Sequence, residues 1–184
     1  VIDVGTNSVK FHIGEQVDDG AWRALVDRAE VTRLGEGLQE TGAISPEPLE
    51  RTMAAIVGMV EEAERRGVTA IAAVGTAGLR IARNGEDVVA AIRSGAGVTV
   101  EVIPGEEEGR LAYLAVQANL GLDEGALVVF DTGGGSTQFT FGRGSQVDER
   151  FSLEVGAVRY TERLGLGAEG WGGGRGEAVV GGSG

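Results

Sequence analysis

Three features of the sequence predict an α/β fold. Short apolar strands alternate with segments of helical period, polar glycine loops end several of those strands, and one strand-loop-strand unit occurs twice.

The first element, VIDVGTNSVKFHIG at residues 1–14, reads as a strand, a glycine turn and a second strand in which Val9, Phe11 and Ile13 alternate with Lys10 and His12. A turn at Asp18, Asp19 and Gly20 leads to a strand from Trp22 to Val31. Ser45 followed by Pro46 opens a helix whose apolar stripe is Leu49, Met53, Ile56, Val57 and Val60, and Gly67 stops it. Val68 to Val74 reads as a strand entering GTAGLR, where Thr76 caps a short helix. A helix over Asp87 to Arg93 and a strand over VTVEVI, residues 98–103, come next. Pro104 and Gly105 then turn the chain into a helix from Glu107 to Leu120 with Leu111, Leu114, Ala115 and Ala118 on one face.

The repeat is found by aligning Asp3 with Asp131, which sets Gly5 on Gly133, Ser8 on Ser136, Phe11 on Phe139, Ile13 on Phe141 and Gly14 on Gly142. A duplicated unit of this kind predicts two lobes with similar sheets facing one cleft. We assign residues 1–122 to the first lobe and 126–184 to the second, joined between Gly121 and Gly125. Beyond Leu164 ten of the last twenty residues are glycine, a composition that predicts a flexible connection, and the closing AVVGGSG reads as a strand entering another glycine turn. GLGAEG within this tract matches G-x-G-x-x-G only formally. No strand precedes it and no acidic residue follows at the required spacing.

A chain of 184 residues is long enough for a sizeable core, and 42% hydrophobic with 24% charged residues is a globular composition without a membrane-spanning run. There is no cysteine and no basic-then-apolar leader, so a cytoplasmic location is expected, and the strand beginning at Val1 predicts a natural start a few residues upstream. A net charge of −12 without a basic cluster argues against DNA, RNA and anionic membranes as partners. An anionic ligand would have to be met locally, by backbone N–H groups, a few placed arginines or a bound cation.

The two loops suit that task. Consecutive glycines let successive N–H groups form a concavity for phosphate oxygens, at Gly133, Gly134 and Gly135 with Ser136 and Thr137, and at Gly5 with Thr6, Asn7 and Ser8. Each loop is headed by an aspartate, Asp3 or Asp131, which repels phosphate unless a divalent cation lies between them. Mg²⁺ held by one or two carboxylates and the substrate phosphates resolves the conflict; the alternative is that each aspartate caps its own turn. In GTAGLR, Thr76 and neighbouring N–H groups are candidates to take an anion, with Arg80 reaching the same phosphate. Glu106, Glu107 and Glu108 open a helix, where the helix dipole alone explains three acids.

Together IDVGTNSVKF, VGTAGLRIARN, VEVIPGEEEGRLAYLAV, VVFDTGGGSTQFTFG and FSLEVGAVRYTERL resemble, in order and spacing, the exopolyphosphatase and guanosine pentaphosphate phosphohydrolase family (Ppx/GppA). That family belongs to the superfamily of actin-like, sugar-kinase and Hsp70-type ATPases. The resemblance covers residues 1–164 and implies two ribonuclease-H-like lobes around a cleft. It further implies that Glu108 prepares the attacking water, that Asp131 is the principal Mg²⁺-associated acid, that Gly5 to Ser8 and Gly133 to Ser136 are phosphate loops, and that Arg80 contacts phosphate. The substrates implied are inorganic polyphosphate or guanosine pentaphosphate, with a homodimer as the inherited assembly.

Two departures stand out. Gln138 follows GGGST where most of the family has Glu, and Lys10, its counterpart in the repeat, stands where Arg is usual. Gln brings no charge and cannot act as a base, while Lys lacks the planar fork of Arg. After TERL the family's helical stretch is replaced by the glycine-rich segment, which predicts an incomplete second lobe. These departures motivate a second expectation, a polyphosphate or alarmone sensor with weakened catalysis.

Overall fold

A computed structural model describes residues 1–17, 20–122 and 124–164. The expected turn residues Asp18 and Asp19, together with GLGAEG and AVVGGSG, lie outside the described residues.

The architecture is α/β with two sheets. Strands β1 (Ile2–Val4), β2 (Ser8–Gln16), β3 (Trp22–Val31), β4 (Ala73–Gly75) and β5 (Val100–Val102) form a mixed sheet in the order β3-β2-β1-β4-β5. β2 pairs antiparallel with both β1 and β3, whereas β4 pairs in parallel with both β1 and β5. Strands β6 (Ala126–Thr132), β7 (Thr137–Arg143) and β8 (Gln146–Leu153) form an antiparallel second sheet. The first sheet is the expected ribonuclease-H-like lobe. The repeat is a real structural repeat: Asp3 pairs with Lys10 across β1 and β2 as Asp131 pairs with Gln138 across β6 and β7.

Alternation in β2 behaves as the pattern requires, with Val9, Phe11 and Ile13 buried and Lys10 and His12 exposed. That apolar face, with Ile2 and Val4, belongs to one core with α1 (Leu38–Thr41), α2 (Pro46–Arg65) and α4 (Gly85–Ala96), which contribute Leu38, Ile56, Met59, Val88 and Ile92. The buried line of α2 runs through Thr52, Ala55, Ile56, Met59 and Ala63, rotated from the expected stripe so that Leu49, Met53 and Val60 sit at its edge. Gly67 ends this helix region at φ 71°, as its left-handed position requires.

Two strands are shorter than expected. Both β4 and β5 have three residues because β1, the strand that templates β4, has three; Ile71 is left outside the ladder and partly exposed. The larger difference is in α5 (Gly105–Leu120). Its buried residues are Gly105, Gly109 and Tyr113, whereas Leu111, on the face expected to be apolar, is 43% exposed. The helix packs on β6, β7 and β8, so its inward face is chosen by close approach to that sheet rather than by its most apolar side. Tyr113 is fully buried over Gly142 and donates its hydroxyl to the Gly144 carbonyl at 3.0 Å. Among the described residues no helix is long and apolar enough to cross a membrane.

A methyl group at Gly142 would meet the Gln146 carbonyl oxygen at 2.3 Å and the Tyr113 hydroxyl at 2.6 Å. Gly142→Ala is therefore expected to cost about 1–3 kcal/mol. The check is urea unfolding, in which a midpoint equal to wild type would contradict this packing.

Candidate active site

The two glycine loops are built alike. In the first the Gly5 N–H donates to the Ser8 carbonyl at 3.0 Å, and in the second the Gly133 N–H donates to the Ser136 carbonyl at 2.8 Å. Each bond closes a hairpin immediately after the strand that carries an aspartate. The N–H groups of Thr6, Asn7, Gly134 and Gly135 have no hydrogen-bond partner among the described residues, which leaves donors for a ligand anion.

The loops also pack on each other, and this explains most of the glycines. A β-carbon at Gly135 would lie 2.8 Å from Thr6 Oγ1, and one at Gly134 3.1 Å from Asn7 Cβ. Gly35 and Gly78 crowd the same threonine, with hypothetical β-carbons 2.3 Å from its Cγ2 and 3.1 Å from its Oγ1. At Gly133 the nearest atom is the Ser136 carbonyl oxygen at 3.4 Å, so this position is the roomier one. The glycines expected to admit only phosphate thus also admit the opposite loop. α6 (Ala157–Arg163) is tied to this loop: the Ala157 N–H donates to the Gly133 carbonyl, and the N–H groups of Val158 and Arg159 donate to that of Gly134.

Between the loops lies a cleft of about 820 Å³ lined by Asp3, Gly5 to Ser8, Lys10, Thr76, Glu108, Asp131 and Gly133 to Ser136. Thirteen of the expected site residues therefore converge. Thr76 stands at the N-cap position of α3 (Ala77–Ile81) but makes no capping hydrogen bond there, and its side of the cleft is otherwise as expected.

Three expected residues do not line it. Thr137 is buried and donates its hydroxyl to the Val155 carbonyl at 2.6 Å, because it opens β7 with its side chain directed inward. Gln138 is also buried, donating from Nε2 to Ser136 Oγ at 2.7 Å and to Ser152 Oγ at 3.1 Å, with Oε1 left without a partner. It supports the second loop from behind. Arg80 is turned away from the loops toward α5: Nη1 donates to the Ile103 carbonyl at 2.7 Å and lies 3.6 Å from Glu108 Oε2. In this geometry Arg80 is engaged by the Ile103 carbonyl and Glu108.

Glu108 sits in the first turn of α5 with its side chain only 18% exposed, and its Oε2 has an ion-pair neighbour in Arg80 but no hydrogen-bond donor. Burial raises its pKa above the ordinary carboxylate value; Arg80 opposes that, and Asp3 and Asp131 add to it. Asp3 is likewise raised by burial, with Lys10 at 3.5 Å pulling the other way and Asp131 reinforcing the rise. Asp3 Oδ1 is buried without a partner. The site therefore gathers three acids, with partnerless oxygens on Asp3 and Glu108.

Cleft residues that motif reading did not assign are Arg33, Glu36, Ala77, Thr132, Ala157, Val158, Thr161 and Glu162. The signal for the first pair was VTRLGEGL, a glycine-containing loop directly after a strand, like the other loops of the site. Glu162 reaches across to accept the Gly37 N–H at 2.9 Å, a contact between residues 125 positions apart with no local signature.

The model of the Ppx/GppA phosphatase family matches residues 15–165. Among solved structures, a Ppx/GppA family member from Aquifex aeolicus is 38% identical, covers 88% of this chain and 52% of its own, and superposes with a TM-score of 0.76. An exopolyphosphatase from Cytophaga hutchinsonii is 28% identical with a TM-score of 0.84, again over 88% of this chain and 52% of its own. An exopolyphosphatase-like protein is 33% identical with a TM-score of 0.80, over 88% and 52%. The chain spans about half the length of the solved structures it matches.

A raised carboxylate pKa has a definite sign in stability. The folded state favours protonated Glu108, so its contribution is fully present below the unfolded pKa and is lost as pH rises through the folded one. Glu108→Gln is therefore expected to melt above wild type at about pH 8 in metal-free buffer, with the gain vanishing toward about pH 4. A variant that melts below wild type at the higher pH would show that ionised Glu108 stabilises the fold.

Proposed function

Since the chain belongs to the Ppx/GppA phosphatase family, we propose that it hydrolyses a terminal phosphoanhydride of inorganic polyphosphate or guanosine pentaphosphate. The observation that supports this most is the meeting of Asp3, Asp131 and Glu108 with both glycine loops in one cleft.

The loop N–H groups hold the non-bridging oxygens of the terminal phosphate, where positioning and charge stabilisation do most of the catalytic work. Glu108 accepts a proton from water as the water oxygen attacks phosphorus. The bridging P–O bond breaks with its electron pair leaving on the shortened substrate. Burial, which makes Glu108 a stronger base than an exposed carboxylate, suits it to that role. Arg80 orients it from behind.

The cleft also fits a magnesium ion in the way such ions meet phosphates, through one or two carboxylates and the substrate's oxygens. Asp131 and Asp3 would hold it, and the partnerless Asp3 Oδ1 is an oxygen of the kind it needs. Among the described residues no three His, Cys, Asp or Glu side chains form a cage, so substrate oxygens and water would complete the coordination. When bound, the ion would neutralise charge on the phosphate oxygens.

Gln138 favours a second reading, a sensor of the same ligands that binds without turnover, because a neutral amide occupies the place of a second acid. One experiment separates the two: phosphate release from both substrates with Mg²⁺, with EDTA, and by Glu108→Gln. We expect EDTA to abolish release and the variant to lose on the order of a hundredfold or more. Binding without release by the native chain would establish the sensor, and release undiminished by EDTA would remove the metal.

A further inference from the structure

Arg33 has the only positive φ outside glycine among the described residues, at 52°. The left-handed region costs a residue with a β-carbon roughly 1–2 kcal/mol, and such outliers persist where the surroundings impose them. Here they do. The N–H groups of Thr32 and Arg33 both donate to the Asn7 carbonyl, at 3.1 and 2.8 Å, and the Gly35 N–H donates to the Thr6 carbonyl at 2.8 Å. The Glu36 N–H closes the turn on the Arg33 carbonyl at 2.9 Å. The strained residue is thus clamped to the two residues at the tip of the first phosphate loop. Asn, Asp or Gly would take this conformation at less cost, yet the position carries a long cationic side chain.

That side chain lines the cleft and is exposed. Two cations, Lys10 and Arg33, line the cleft among the described residues. Lys10 is paired with Asp3. Arg33 has no side-chain hydrogen bond or ion pair among the described residues, and neither rim acid pairs with it. Glu36 is paired with Arg51, and Glu162 accepts the Gly37 N–H through Oε1 while its Oε2 has no partner. The cleft lining carries five acids, Asp3, Glu36, Glu108, Asp131 and Glu162, so an entering polyanion finds one uncommitted positive group. A cleft of about 820 Å³ has room for more than the single phosphate seated between the loops.

We propose that Arg33 is a specificity-determining residue that binds a phosphate of the substrate other than the one being cleaved, and so selects chains of several linked phosphates. This rests on the phosphoanhydride reading of the cleft. The guanidinium offers a planar pair of donors to phosphate oxygens. Its backbone clamp sets it beside the first loop, outside the reacting centre, so its contribution belongs to substrate binding.

The test compares wild type with Arg33→Gln, Arg33→Lys and Arg33→Gly on tripolyphosphate, long-chain polyphosphate and guanosine pentaphosphate. Arg33→Gly removes the cation while relieving the backbone, so its urea midpoint should equal or exceed that of wild type. We expect Arg33→Gln and Arg33→Gly to raise KM about tenfold, the loss falling on KM far more than on kcat, with Arg33→Lys recovering part. A loss confined to polyphosphate or to guanosine pentaphosphate supports the assignment and tells which of them Arg33 serves. An unchanged KM in both Gln and Gly variants overturns it, as does a fall in kcat at constant KM. If wild type releases no phosphate, the hydrolase reading fails by itself. Calorimetric binding of tripolyphosphate to wild type and Arg33→Gln then decides Arg33 alone: weaker binding by the variant upholds the assignment, and equal binding overturns it.

Discussion

The side chain of Thr6 is where the site is held together. It lies in the first glycine loop and is crowded by Gly35, Gly78 and Gly135, which come from three separate parts of the chain. Each approach is so close that a β-carbon on any of the three would fall between 2.3 and 3.1 Å from a threonine side-chain atom. Backbone from the second loop can therefore rest directly on the first. With the loops in contact, Asp131, near the end of its strand, is drawn close enough to Asp3 to raise the pKa of Asp3 further. The same absence of side chains that lets the loops pack leaves their N–H groups open for the proposed phosphate.

Electrostatics then sets the character of the cleft. Acids outnumber cations on its lining, in a chain whose net charge is −12. Such a surface does not attract polyanions at long range. It can accept one only through groups at contact distance: partnerless N–H groups, a bound cation and the few cations present. Burial, reinforced by the neighbouring acids, raises the pKa of Glu108 and Asp3, so keeping these acids ionised inside the cleft costs stability.

Much of the fold was legible in the sequence, because its signals are local. The alternation of Val9, Phe11 and Ile13 and the glycine stops are short-range patterns, and the repeat that sets Asp3 on Asp131 reappears as equal strand registers and equal loop-closing hydrogen bonds. The face of α5 was misread because its buried residues are two glycines and a tyrosine, chosen by how closely the helix approaches the second sheet. The partners of Arg80, the Ile103 carbonyl and Glu108, lie more than twenty residues away and had no local signature.

By itself, then, the sequence determined the fold class, the duplicated loops and the identity of the acids, because backbone freedom at glycine, strand alternation and the chemistry of each side chain depend on near neighbours. Only the tertiary structure decided which of those residues share a cleft, which stand behind it, and that Arg33 is clamped at its rim in a left-handed conformation. Those outcomes rest on contacts between residues far apart in the chain, Thr6 with Gly135 and Gly37 with Glu162 among them, where steric fit and hydrogen-bond satisfaction are settled only when the whole is packed.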